Sequence, residues 1–98
     1  MTLEDRLAEL VAEATDVRTT DKNEYSRSGT VFAVHPSADV IELRLGPEIA
    51  EAAQRTADTS SSSRGDAWVR FEPREWDDHA QDRLDAWFRV AAKLAAGR

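Results

Sequence analysis

The sequence contains no cysteine, which excludes disulfides, thiol nucleophiles and cysteine-ligated zinc. Histidine is scarce, with only His35 and His79, and just two of the thirteen basic residues are lysine. A basic excess is also missing. The formal charge of -6 opposes a generic polyanion binder, because little is available to neutralise phosphates. No run approaches the roughly 18 consecutive apolar residues of a membrane helix. Residues 1–14 carry acids where a secretory leader needs a basic start and an unbroken apolar stretch. A cytoplasmic protein with no membrane association is therefore expected. What is present, 41% hydrophobic and 33% charged residues over 98 positions, fits one folded domain spanning 1–98.

Apolar spacing divides the chain into elements. Leu3, Leu7, Leu10, Val11, Ala14 and Val17 recur at three- and four-residue steps and predict a helix over 3–17, with Thr2 as its cap. The polar stretch 19–28 reads as a loop in which Tyr25 plugs the core edge. Residues 30–35 and 40–45 read as two strands of a hairpin. In the second, Ile41, Leu43 and Leu45 alternate with Val40, Glu42 and Arg44. Gly46-Pro47 starts a short helix to about residue 57, with Ile49, Ala50 and Ala53 facing inward. The serine-rich segment 58–66 reads as a mobile loop, 67–72 as a third strand, and 77–96 as a long helix bearing the stripe Ala80, Leu84, Trp87, Phe88, Ala91, Leu94 and Ala95. The order is α-β-β-α-β-α. The expected class is α+β in two layers: a small antiparallel sheet with two long terminal helices and one shorter helix.

Catalytic constellations are hard to find. His35 and His79 share no ligand spacing and read as two partly exposed side chains, so neither a metal nor any other cofactor is expected. A histidine–carboxylate enzyme site is the remaining enzymatic alternative. Asp77, Asp78, Asp82 and Asp85 read as a solvated, dipole-stabilised face of the last helix rather than as an acid–base pair. The serines at 60–63 lack a nucleophile elbow, and no glycine-rich phosphate loop exists. Arg64-Gly65-Asp66 matches an adhesion tripeptide, but Gly65 more simply supplies a turn. No catalytic residue is assigned.

The candidate binding surface is Arg44, Arg64, Trp68, Arg70 and Arg74. Trp68 and Arg70 alternate onto the strand face opposite Val69 and Phe71. An exposed tryptophan with flanking arginines there suits stacking on a base or an anionic ligand, whereas a core Trp68 would leave no platform. Residues 27–74 hold six basic and seven acidic side chains, so electrostatics do not mark a nucleic-acid footprint.

The runs FAVHPSADVIELRLGPEIAEAA, RGDAWVRFEP and AWFRVAAKLA carry the motifs Phe32-Ala33, Ile41-x-Leu43-x-Leu45 and Gly65-x-x-Trp68-Val69. On these, residues 28–96 resemble the MmcQ/YjbR-type small bacterial proteins, and a related domain named as a luciferase family. The resemblance implies an α+β double-wing fold and, from it, DNA binding; it brings no catalytic residues. Three expectations follow. The first is a non-enzymatic binding or regulatory module for a protein or small ligand, acting through the sheet face and the 58–66 loop. The second is weak DNA binding through Arg44, Arg64, Arg70 and Arg74, disfavoured by the net charge. The third is the histidine–carboxylate enzyme. A homodimer is open to a chain of this size with uncovered sheet edges.

Overall fold

The computed structural model describes residues 2–20 and 23–97. Along the chain run α1 (Leu3–Glu13), β1 (Val17–Thr19), β2 (Glu24–Arg27), β3 (Thr30–Ser37), β4 (Val40–Arg44), α2 (Pro47–Ala53), β5 (Thr59–Ser62), β6 (Gly65–Phe71) and α3 (Asp78–Ala96). The strands form one antiparallel sheet in the order β1-β2-β3-β4-β6-β5. The buried sides of all three helices join a single apolar cluster with one face of that sheet. This is the expected two-layer α+β class, with six strands where three were expected. No helix among the described residues is long and apolar enough to cross a membrane.

Each helix boundary has a local cause. At the start of α1, the Asp5 backbone N–H donates to the Thr2 hydroxyl and the Thr2 N–H donates to the Asp5 carboxylate, both at 3.2 Å, a reciprocal capping box. The helix stops at Glu13 rather than running to 17. Asp16 sits at φ 64, a left-handed conformation that aspartate tolerates better than most residues. That reversal sends Val17 into β1, opposite Arg27. Gly46, at φ 87, precedes Pro47 at the start of α2, and the Asp77 carboxylate accepts the Ala80 N–H at 2.9 Å at the start of α3.

Three short strands replace expected loops. Strand β2 carries one apolar residue, Tyr25, so it shows no periodic signal. It forms because Ser28 and Gly29, both at positive φ, make the tight turn that returns the chain from Arg27 to its partner Thr30. Asp21 and Lys22, in the same expected loop, lie outside the described residues. Strand β5 contains only Thr and Ser. It is held by β6 on one side and by the Thr59 hydroxyl, 2.7 Å from the Ala53 carbonyl at the end of α2. Tertiary pairing here overrides weak propensity.

The core face follows from the register, since directly paired residues share a face. Tyr25, Ala33, Leu43 and Val69 form one row across four strands, all in the apolar cluster. Phe32 is the extra residue of a β-bulge between the pairs Tyr25–Ala33 and Ser26–Val31. The bulge lets both Phe32 and Ala33 turn inward, against strict alternation. Two aromatic contacts then seat α3 on the sheet: Phe88 meets Phe32 edge-on at 5.4 Å, and Trp87 meets Phe71 at 5.2 Å. Two expected core positions are corrected. Ile49 and Leu94 are 43% and 41% exposed, because the short α2 presents only Ala50 and Ala53 inward and α3 turns Ala91 and Ala95 inward instead.

Candidate functional site

The sheet face turned away from the helices carries the candidate residues. Strands β4 and β6 pair Glu42 with Arg70 and Arg44 with Trp68, out of phase with the inward pairs Ile41–Phe71 and Leu43–Val69. The row through Glu42 continues outward to Val34 and Glu24 on one side and to Ser60 on the other. Four of the five residues expected in the site therefore gather at one place: Arg44, Arg64, Trp68 and Arg70. Arg74 does not. It lies past Pro73 at the opposite end of β6, where its Nε is 3.3 Å from Asp58.

Arg64 organises this face. It sits in the turn between β5 and β6 and lies over the Trp68 ring, 5.3 Å from the ring centroid. Its Nε is 3.4 Å from Glu42, and its Nη2 is 3.8 Å from Glu24 on β2. Trp68 is only 9% exposed, although it lies outside the apolar cluster that joins the sheet to the helices. The wet platform of the exposed-tryptophan reading is thus a tryptophan tucked under an arginine, with an indole face shared between the sheet and a guanidinium.

Glu42 is the hub beneath. Expected on the wet side of its strand, it is 7% exposed. Its carboxylate accepts from the Ser62 hydroxyl and from Arg70 Nη1, each at 3.2 Å, with Arg64 close by. A buried carboxylate needs this much compensation, since desolvation alone costs several kcal/mol per ion. Arg70 also reaches Glu72 at 3.7 Å. Two guanidiniums accordingly face three carboxylates, Glu24, Glu42 and Glu72, and the cationic patch read from the sequence is internally neutralised. Arg44 is exposed and makes no ion pair among the described residues.

The histidines need correction as well. His35 is not partly exposed: it is 6% exposed, and its Nε2 has no hydrogen-bond partner. Proline follows it and a register irregularity separates Val34 from Ser37, so the expected hairpin loop begins later and His35 remains inside the sheet. His79 is exposed. Among the described residues, no three His, Asp or Glu side chains converge to hold a metal. The acidic run of α3 is not uniformly solvated either. Asp77 caps the helix, and both oxygens of Asp85 accept from Arg6 on α1 at 2.8 Å.

Reasoning from sequence missed Glu42, Glu24 and Ser62. The alternation of β4 puts Glu42 beside Arg44 on the outer face, but the 42–70 register and the existence of β2 and β5 are needed to make it a hub. The Ser28-Gly29 dipeptide was the available signal for the β2–β3 hairpin. No family model matches the chain, and no curated protein or solved structure matches it significantly.

Proposed function

We propose that this chain is a non-enzymatic binding module that holds an extended segment of a partner protein along the β5 edge, beside the Arg64–Trp68 face. One observation carries the reading. Strand β5 closes the sheet and pairs only with β6 among the described residues, and its four residues, Thr59 to Ser62, contain neither charge nor proline. Edge strands are ordinarily protected by such residues, and an unprotected one is a template for strand addition. The other edge is different: β1 has three residues, and the central one is Arg18. Arg64, in the turn between β5 and β6, is able to exchange its intramolecular carboxylates for one on the partner, and Arg44, two strands in from this edge on β4, adds an unpaired cation to the same sheet face.

The same arrangement weakens the DNA reading that the family resemblance brings. Arg64, Arg70 and Arg74 each already face a carboxylate, so phosphate binding would have to compete with those pairs as well as with the net charge.

A benzophenone amino acid placed at Ser60 tests the proposal in cells, with the same group at exposed Asp78 as control. A discrete protein adduct at position 60, absent at 78 and abolished by Ser61→Lys, is the expected result. Adducts to nucleic acid would transfer the reading to DNA, and no adduct at either position would remove both. A second copy of the chain offers the same edge, so the mass of the adduct also reports whether the partner is the protein itself.

A further inference from the structure

We infer that a second site, on the helix side of the sheet, binds a small monocarboxylate with an apolar body. This site is independent of the β5 edge. The Arg6–Asp85 clasp fastens the first turns of α1 to α3. Beyond it α1 ends at Glu13, and the chain turns away at Asp16. The wedge left between α1, α3 and β2 is a cavity of about 360 Å³, within the roughly 300–1,000 Å³ of small-molecule sites. Leu10, Phe88 and Ala92, all core residues, form its apolar floor. Arg27 from β2 and Arg89 from α3 form its cationic wall.

The condition of these two arginines points to the ligand. Arg27 is half-buried, and its hydrogen bond to protein is a long one, 3.4 Å from Nη1 to the Ala92 carbonyl. Neither Arg27 nor Arg89 has a carboxylate partner among the described residues, whereas Arg6, Arg64, Arg70 and Arg74 all do. A guanidinium presents five donors in a planar fork that matches a carboxylate, and the pairing strengthens where water is partly excluded. The cavity lining contains one acid, Glu13. The C-terminal carbonyls of α1 add partial negative charge on the same side. The wall therefore keeps a net positive charge of roughly half to one unit, which suits a single carboxylate and opposes a phosphate dianion. The floor then takes an alkyl or aryl body.

Titration of the protein with hexanoate, followed by amide NMR shifts, tests this against 1-hexanol and hexylamine of the same chain length. Hexanoate should give saturable shifts at Leu10, Ala14 and Ala92 while the Trp68 amide stays still. Binding should weaken about tenfold or more for hexanol, as for loss of a charge-assisted hydrogen-bond pair. Arg27→Gln should weaken hexanoate to a similar degree. Arg89→Gln, at an exposed position, should weaken it a few-fold without touching the fold. Absence of saturation below ~10 mM, a range corresponding to only about 3 kcal/mol of binding, overturns the inference. So does equal binding of hexanol, or an Arg89→Gln protein and an Arg27→Gln protein that both bind as the parent does.

Discussion

Arg64 covers the Trp68 ring at 5.3 Å while its Nε stands 3.4 Å from Glu42, so one side chain shields an aromatic and neutralises a buried carboxylate together. Arg64 is itself more than a third exposed, and solvent screens much of the pairing. Arg64→Ala should therefore lower stability by no more than about 1 kcal/mol. It should nevertheless speed exchange of the Trp68 indole proton with water, which NMR measures directly. An unchanged exchange rate would mean that the sheet alone buries the indole.

Removing the hub acts differently from removing its cover. Glu42→Gln keeps the shape and the hydrogen-bond acceptor, but leaves Arg64 and Arg70 without their shared charge. Both arginines can turn to water, so a loss of about 1–2 kcal/mol in a denaturant titration is expected. Glu42→Ala should cost more, because it also removes the acceptor of the Ser62 hydroxyl and of Arg70 and leaves space at a buried position. A Gln variant as stable as the parent would show that hydrogen bonding, rather than charge, holds this face.

His35 predicts the opposite sign. Its Nε2 is buried without a partner, and an unsatisfied buried polar atom costs about 1–3 kcal/mol. His35→Leu, close in volume and apolar, should leave Tm unchanged or raise it by several degrees. A lowered Tm would mean that the imidazole makes packing contacts that leucine cannot reproduce.

Truncating Phe71 should be severe. Its ring is fully buried between Ile41 on the neighbouring strand and Trp87 on α3. Phe71→Ala should remove about 3–5 kcal/mol, a large share of the 5–15 kcal/mol typical of a domain. A calorimetric scan would show either a much lower transition or none.

Alkaline pH tests Tyr25. Burial, and secondarily the nearby charge of Glu4, push its phenol above the ordinary value of 10.0. The unfolded chain loses this proton first, so below about pH 10 the group has no effect on the pH dependence of stability. Above that, stability falls until the folded-state value is passed. Tyrosinate absorbance should thus lag behind a free tyrosine and rise with unfolding. Titration at 10 in the folded protein would place the hydroxyl in water.

Long periodic segments were the legible part of the sequence. Leu84, Phe88, Ala91 and Ala95 show α3 almost to its ends, and Ile41-x-Leu43-x-Leu45 shows both β4 and its buried face. Strands β2 and β5 were not legible because their residues are polar, and their form comes from neighbours that pairing alone reveals. The candidate face was half legible for the same reason. Alternation put Arg44, Trp68 and Arg70 together, but the acids that neutralise them come from a strand without a pattern, Glu24, and from a residue read as solvated, Glu42. Arg74 was grouped with them by closeness in sequence, although Pro73 carries it past the far end of the sheet.

The strand order has a kinetic consequence. Four of the five pairings, β1–β2, β2–β3, β3–β4 and β5–β6, join strands consecutive in the chain, and each forms by closing a short loop. The seam between β4 and β6 is the exception, because α2 and β5 intervene. Loop-closure entropy makes such a non-local seam the slow event of assembly. Refolding rate is therefore expected to respond most to lengthening the α2–β5 connection and little to changes in the Ser28-Gly29 turn. The two arms that meet at this seam also bring Glu42 and Arg70 together, so the candidate face is complete only once the β4–β6 pairing has formed.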